Sequence, residues 1–260
     1  MSDQIKVAVC VPSREGQCRT MFAHSLAGLM GYGNMLRSRC DAESFEMTLK
    51  VQESSVIHAN REMLVKESLA WGATHIMFLD DDMVFNPLVL EMLLSRRQPF
   101  VACNYPKRGW PITFTAVRLD GKGYIITHKG SSGMEEAFYT GFGVSLIERQ
   151  VFEKTKQPWF LPLYLEKEGV YTTEDNPFCV RVREAGFKVL VDHDASKNVG
   201  HVGLHTFDWS QWREPESVFA NAGKLPPQTE VLPDGKLKVH GSAGDVRVLD
   251  PIQLSNHKAA

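Results

Sequence analysis

Residues 75–82 read His-Ile-Met-Phe-Leu-Asp-Asp-Asp, and this stretch indicates both the fold and the kind of site. The apolar run is typical of a buried strand, and Asp80, Asp81 and Asp82 follow its end. Three carboxylates beside a buried strand are costly unless something positive binds there. Mg²⁺ and Mn²⁺ prefer oxygen ligands, and proteins usually hold them with one or two carboxylates plus substrate phosphates. The stretch therefore predicts a divalent cation that holds a nucleotide diphosphate.

A solvated acidic turn, in which an aspartate caps the next helix, is the alternative interpretation. Asn86-Pro87 weakens it, because asparagine already fits the N-cap and proline the first helical position. In an extended segment, alternate side chains point to the same side. We therefore expect Asp80 and Asp82 to share the ligand face, whereas Asp81 points away as a structural residue.

The first hundred residues alternate between strand and helix. Strands are predicted at residues 5–11, 46–52, 74–79 and 100–103, and helices at 20–37, from Ser54-Ser55 to about residue 70, and from Asn86. In the second helix, Val56, Ala59, Met63 and Leu64 fall on one face, which we expect to be buried. The order β-α-β-α-β-α-β is typical of a parallel sheet with helices on both faces.

The rest of the chain has a less regular pattern. It predicts a hairpin at residues 113–127 turned by Asp120-Gly121, a strand at 139–147, a helix capped by Asn176 and a strand at 187–191. We predict one domain over residues 1–220 and a tail or small hairpin over 221–260, with a turn at Pro233-Asp234-Gly235.

Composition is ordinary for a globular protein: 260 residues, 43% of them hydrophobic and 23% charged, with a formal net charge of -2. This charge does not favour a general polyanion binder. The five cysteines form no Cys-x-x-Cys pair, which predicts free thiols in a reducing compartment. We find no signal peptide and no membrane-spanning run, and we predict a soluble cytoplasmic protein.

A second acidic pair, Glu174-Asp175, precedes Asn176-Pro177. A carboxylate just before a helix can take a proton from an acceptor hydroxyl as a general base. The alternative is that both carboxylates merely favour the helix dipole, and this pair by itself leaves the choice open.

His201, in Gly200-His201-Val202-Gly203, is a candidate additional metal ligand. A lone histidine is more often structural or solvated, and His193 and His205 are competing candidates nearby.

The order of these motifs resembles GT-A-fold glycosyltransferases, especially those of glycosyltransferase family 2. The resemblance covers about residues 5–205 and rests on an ordered set of segments: 9–14 (Val-Cys-Val-Pro-Ser-Arg), 78–82 (Phe-Leu-Asp-Asp-Asp), 139–143 (Tyr-Thr-Gly-Phe-Gly), 173–175 (Thr-Glu-Asp), 183–189 (Arg-Glu-Ala-Gly-Phe-Lys-Val) and 200–203 (Gly-His-Val-Gly). It implies an α/β fold of the GT-A type, with a Rossmann-like, mostly parallel central sheet flanked by helices and a small antiparallel extension. It also implies a donor that is a nucleotide-diphosphate-sugar, used with Mn²⁺ or Mg²⁺.

The resemblance assigns roles to particular residues. Asp82 matches the metal-binding aspartate of Asp-x-Asp, Asp80 the one that contacts the ribose or the metal through water, and His201 a further metal ligand. Asp175, beside Glu174, matches the catalytic base of inverting members. The remaining nucleotide-site residues implied are Pro12, Ser13, Arg14, Glu53, Arg61 and Asp81, and the segment 141–143 matches one that lines the sugar and acceptor site.

The chain departs from the family's pattern at two points. Glu53 lies in Gln-Glu-Ser-Ser rather than the family's Asp-Gly-Ser, and the Gln-x-x-Arg-Trp motif of processive members is absent. We therefore expect a single sugar transfer.

The alternative functions are those of a sugar nucleotidyltransferase and of a non-catalytic nucleotide-sugar or glycan-binding protein. By family analogy the acceptor is a glycan or lipid-linked, with modified nucleic acid or protein as open alternatives.

Overall fold

The structure, a computed structural model, describes residues 4–39, 44–166, 169–203 and 206–212, and three strands between residues 229 and 249. Contacts divide the chain into two compact units, residues 1–212 and 213–260. The predicted domain boundary near residue 220 and the predicted turn at Pro233-Asp234-Gly235 lie outside the described residues.

Strands and helices of the first unit follow one another closely. In chain order they are β1 (Ile5–Ser13), α1 (Thr20–Arg39), β2 (Phe45–Glu53), α2 (Ile57–Trp71), β3 (His75–Leu79), β4 (Met83–Phe85), α3 (Val89–Ser95), β5 (Phe100–Ala102), β6 (Val117–Arg118), β7 (Met134–Tyr139), β8 (Val144–Glu148), α4 (Arg149–Lys154), β9 (Tyr164–Leu165), β10 (Val170–Tyr171), α5 (Asp175–Glu184), β11 (Leu190–Asp192), α6 (His193–Ser196), β12 (Val199–Val202), β13 (Thr206–Phe207) and a 3₁₀ helix (Trp209–Gln211).

An eight-stranded sheet runs through this unit in the order β2-β1-β3-β8-β5-β11-β7-β6. Parallel pairs join β1 to β2, β1 to β3 and β5 to β11, whereas β8 lies antiparallel between β3 and β5. The predicted β-α-β-α-β-α-β order is confirmed, with the short β4 as an addition. The predicted α/β class is confirmed as well: a central sheet with parallel pairs at its core is flanked by helices and accompanied by small antiparallel sheets.

Both faces of the sheet are buried along its central strands β1, β3 and β5, where successive side chains point to opposite sides and are buried on each. In β1, Val7 and Val9 pack in a cluster with Phe22 and Leu29 of α1 and with α3. Ala8 and Cys10 face the other cluster, to which α2, α4 and α5 contribute. The helices therefore cover both faces, and the strand ends are left to line a site.

Three local predictions were wrong. The strand predicted at residues 139–147 is two strands, β7 and β8, that turn at residues 140–143. The helix predicted at Asn176 begins at Asp175, with Glu174 as its N-cap. Asn86 does accept a hydrogen bond from the Leu88 N–H, but α3 begins only at Val89.

The buried face of α2 matches the predicted apolar face only in part, since Leu64 is buried. Val56 and Met63 are exposed, and the buried side is shared by apolar and polar residues: Asn60, Arg61, Leu64, Val65 and Ser68. Two of these polar residues, Asn60 and Arg61, find partners at the strand ends and in the turns beyond them. The Asn60 amide, for example, donates to the carbonyl oxygens of Ser13 and Ser54.

The second unit contains β14 (Thr229–Val231), β15 (Leu237–His240) and β16 (Val246–Leu249), which pair as one antiparallel sheet. Across the described parts of both units, no helix combines the length and the apolar character that a membrane crossing requires.

Candidate functional site

The three aspartates lie in a turn between β3 and β4, in which the Met83 N–H donates to the Asp80 carbonyl at 3.1 Å. The expectation that Asp81 points away from the other two was therefore wrong, because the extended segment ends at Leu79. All three line one cavity, and each carboxylate has its own partners.

Asp82 meets His201 because two strands bring them together. β4 pairs with β12 so that His201 lies opposite Met83, and the Val202 N–H donates to the Asp82 carbonyl at 2.8 Å. His201 Nε2 lies 3.3 Å from Asp82 Oδ2. Burial alone would raise the pKa of Asp82, but the hydrogen bond and charge of His201 and the charge of Arg108 hold this pKa below its ordinary value.

Arg108 is the second partner of Asp82. Its Nη1 lies 2.9 Å from the same oxygen, Oδ2, that faces His201. Arg108 follows β5, whose carboxyl end lies at the same edge of the sheet as that of β3. Its side chain is 45% exposed, against 18% for that of Asp82.

Asp80 belongs to a separate, buried cluster around Arg61, which α2 carries into the site. Arg61 Nη2 donates to Asp80 Oδ1 at 2.7 Å, and its Nε donates to Glu174 Oε1 at 3.1 Å. The guanidinium carbon lies 5.2 Å from the centroid of Phe78 and 5.4 Å from that of Phe142. Burial disfavours the charge of Arg61, yet the two carboxylates raise its pKa above the ordinary value. Its Nη1 is buried and has no hydrogen-bond partner among the residues that the structure describes.

Glu174 and Asp175 differ in their surroundings although they are adjacent. Glu174 lines the cavity through its ion pair with Arg61. Asp175, the first residue of α5, is half-buried, and its Oδ1 accepts hydrogen bonds from the Thr173 hydroxyl and the Asn176 N–H. Burial raises the pKa of Asp175 to about 6, while the Thr173 hydroxyl and the charge of Arg61 act in the opposite direction.

The end of β1 and the loop after it supply the neighbouring wall. Pro12 and Arg14 line the cavity, and the buried Ser13 hydroxyl donates to Asp81 Oδ2 at 2.8 Å. Burial raises the pKa of Asp81, and the Ser13 hydrogen bond opposes this effect. Glu53 is exposed at the end of β2, where its carboxylate packs against Gly16, and it does not line this cavity.

These side chains surround a cavity of about 420 Å³ at the carboxyl edge of the sheet. The structure thus brings together most of the residues singled out from the sequence: Pro12, Arg14, Arg61, Asp80, Asp81, Asp82, Glu174 and His201. Asp175 does not line it. The competitor His193 is buried elsewhere, against Thr127 and Glu135, and His205 lies outside the described residues.

The fit of a divalent cation can be tested on Asp82 and His201. The Pro106 carbonyl, 3.1 Å from His201 Nδ1, can only accept, so Nδ1 carries the hydrogen. A protonated His201 donates its Nε2–H to the Asp82 carboxylate, whereas a neutral His201 offers the lone pair of Nε2 to a cation held beside that carboxylate. In the described part of the chain, no three histidine, cysteine or acidic side chains form a metal-binding group. Two protein ligands nevertheless suffice for an ion that takes its other ligands from phosphates and water.

Two residues of the site were missed in the sequence. Arg108 lies in a loop after a parallel strand, and this position was the available signal. Tyr105 had no such signal: its hydroxyl accepts from the Gly143 N–H at 3.0 Å, and its ring lies edge-on to His201. A Cβ at position 143 would lie 2.6 Å from the Tyr105 ring, so only glycine fits there. Phe142 is buried in the core rather than lining the cavity.

Comparisons with known proteins add little at the level of sequence. No protein-family profile and no curated protein matches this chain. Among solved structures, A197 from STIV has a TM-score of 0.48 and 16% identity, over 92% of this chain and 95% of that one. S. aureus TarS 1–349 has a TM-score of 0.41 and 10% identity, over 73% of this chain and 58% of that one. TarS 1–349 in complex with UDP-GlcNAc has a TM-score of 0.40 and 12% identity, over 73% and 56%. At such scores, these likenesses carry no weight for function.

Proposed function

We propose that this chain is a glycosyltransferase that moves one sugar from a nucleotide-diphosphate-sugar to an acceptor hydroxyl. One observation carries the proposal: the aspartate turn, a buried arginine and a histidine converge on one cavity at the carboxyl edge of an α/β sheet.

The cavity has the groups that an anionic nucleotide requires. Arg14, Arg61 and Arg108 line it. Arg61 has a buried N–H group without a partner among the described residues, and such a donor is costly until a ligand oxygen accepts from it. Guanidinium groups suit phosphate oxygens because they can donate two parallel hydrogen bonds. Asp80 and Asp81 supply acceptors for ribose hydroxyls in the same cavity.

Asp82 and His201 are the residues that would hold a divalent ion. Such an ion would neutralise the diphosphate and make it a better leaving group. Asp82 suits this role because its depressed pKa keeps it ionised at neutral pH.

Asp175 is proposed as the base that takes the acceptor proton, with inversion at the anomeric carbon as the consequence of direct attack. A pKa of about 6 leaves the carboxylate ionised at pH 7 and still basic enough to accept a proton. Glu174 is proposed to hold Arg61 in place rather than to act on the acceptor, because its carboxylate is engaged by that guanidinium. A glycan or lipid-linked acceptor is carried over only from the family resemblance.

The test is a screen of nucleotide-sugars with Mn²⁺ for donor hydrolysis, which needs no acceptor. We expect release of a nucleoside diphosphate from one donor and none from Asp82→Asn. Release of pyrophosphate from a nucleoside triphosphate and a sugar phosphate would instead identify a nucleotidyltransferase. Saturable nucleotide-sugar binding without turnover, in the presence of any acceptor tried, would favour a binding protein.

A further inference from the structure

Arg108 and His201 converge on a single carboxylate oxygen. Arg108 Nη1 lies 2.9 Å and His201 Nε2 lies 3.3 Å from Asp82 Oδ2. The same short loop contacts both residues of the expected ion site, since the Pro106 carbonyl accepts from His201 Nδ1 two positions before Arg108. Arg108 thus supplies a positive charge at the oxygen that a divalent ion would need.

Among the contacts at Asp82, the ion pair with Arg108 is the one that a ligand can replace most easily. The side chain of Arg108 is 45% exposed, whereas those of Asp82 and His201 are 18% and 14% exposed. An ion pair with an exposed, flexible partner is weak, because water solvates the released guanidinium almost as well. Asp82 and His201, by contrast, are fixed by the β4–β12 pairing.

The side chain of Arg108 also has free space next to it. It lines the 420 Å³ cavity and a neighbouring cavity of about 340 Å³, which Arg14, Asp81 and Asp82 line as well. A guanidinium and a divalent ion repel each other at one oxygen, but an anion placed between them attracts both. A diphosphate is such an anion, and arginine binds it with paired hydrogen bonds.

We propose that Arg108 is an exchangeable cation: it neutralises Asp82 while no metal is bound, and it becomes a diphosphate ligand when a divalent ion takes Asp82. This inference rests on the proposed function, because it assumes a donor with a diphosphate. This exchange favours joint binding of the ion and the diphosphate over binding of the ion alone.

The test uses the full chain and two probes, Mn²⁺ alone and inorganic pyrophosphate in saturating Mn²⁺, each measured by calorimetric titration. In Arg108→Gln, we expect Mn²⁺ alone to bind about three- to tenfold more tightly, because its competitor is gone. Pyrophosphate should bind about tenfold more weakly, because a charge-assisted contact is lost. Arg108→Lys, which keeps the charge, should recover part of the pyrophosphate affinity.

Lys107→Gln is the matched control, since Lys107 is the adjacent cation and contacts Tyr124 rather than Asp82. Both affinities should stay at the wild-type value in this variant. An unchanged or weaker Mn²⁺ affinity in Arg108→Gln overturns the proposal, as does unchanged pyrophosphate affinity or an absence of Mn²⁺ binding in both proteins. Opposite shifts of the two affinities together with no glycosyl transfer would support the exchange and count against only the proposed reaction.

Discussion

Two arginine–carboxylate clusters line the same cavity and differ mainly in burial. Arg61 has a side chain that is 4% exposed and joins Asp80 to Glu174, which fixes the aspartate turn to the start of α5. Arg108 is 45% exposed and holds one oxygen of Asp82. A guanidinium paired with a carboxylate thus serves two different purposes in this cavity. The buried cluster can be broken only at a high cost and sets the geometry, whereas the exposed one can exchange its partner for a ligand.

Asp175 gives the largest expected effect, because it is the proposed base. It lies beside the buried cluster and forms no ion pair with an arginine in the described part of the chain. In Asp175→Asn, we expect kcat to fall about 10³-fold, since the acceptor proton has no base. Nucleoside diphosphate affinity should change by less than about twofold. Steady-state kinetics and calorimetric titration measure the two quantities.

The matched control for this variant is Glu184→Gln, at the exposed far end of the same helix. It should keep full activity. Transfer at the wild-type rate in Asp175→Asn would remove Asp175 from the mechanism.

Removal of Arg61 should show how much the buried cluster contributes to folding. In Arg61→Met, Asp80 and Glu174 lose their counter-ion, and we expect the free energy of unfolding to fall by about 2–4 kcal/mol. Because both carboxylates keep some contact with water, the value should stay below that of a fully buried pair. Urea unfolding followed by circular dichroism measures the change, and a loss under 1 kcal/mol would contradict the distinction between the two clusters.

Asp175 should also control the pH dependence of the reaction. Its pKa is raised to about 6, so the base is protonated below that pH and kcat/KM should fall about tenfold per pH unit there. Above pH 6 the rate should level off. Thr173→Val removes a hydrogen bond that stabilises the carboxylate and should move the acid limb to higher pH. An acid limb that stays in place in this variant would argue that another group titrates.

Arg108 should give the smallest effect on stability. In Arg108→Met, we expect the free energy of unfolding to change by less than about 1 kcal/mol, because the ion pair is exposed. The same urea titration, run beside Arg61→Met, makes the comparison direct. A loss as large as that of Arg61→Met would mean that Arg108 is structural and not exchangeable.

The first half of the fold was readable because its signals are local. An apolar run such as the one in β1 reports burial on both faces of a parallel sheet, and alternation of strands with helices reports the crossover connections. Fine boundaries were less readable. Asn176 has the residue type and the following proline of an N-cap, yet the helix already begins at Asp175.

The sequence indicated which motifs lie near the candidate site, but not how their side chains are arranged. The aspartates were expected in extended chain, but the turn that begins at Asp80 gives each carboxylate its own partner. Part of the buried face of α2 was missed because Asn60 and Arg61 are polar, and polar side chains are buried there only because distant loops satisfy them. Such long-range pairing leaves no periodic trace in the sequence.

The central claim, that the aspartate turn forms the donor site, is tested most directly by titrating nucleoside diphosphates in saturating Mn²⁺ into the wild type and into Asp82→Asn. We expect one-site binding of a particular nucleotide by the wild type and at least a tenfold loss in Asp82→Asn. Asp120→Asn, in an exposed turn, should bind as the wild type does. Equal affinity in Asp82→Asn and the wild type, or no binding of any nucleoside diphosphate by the wild type, would contradict the claim.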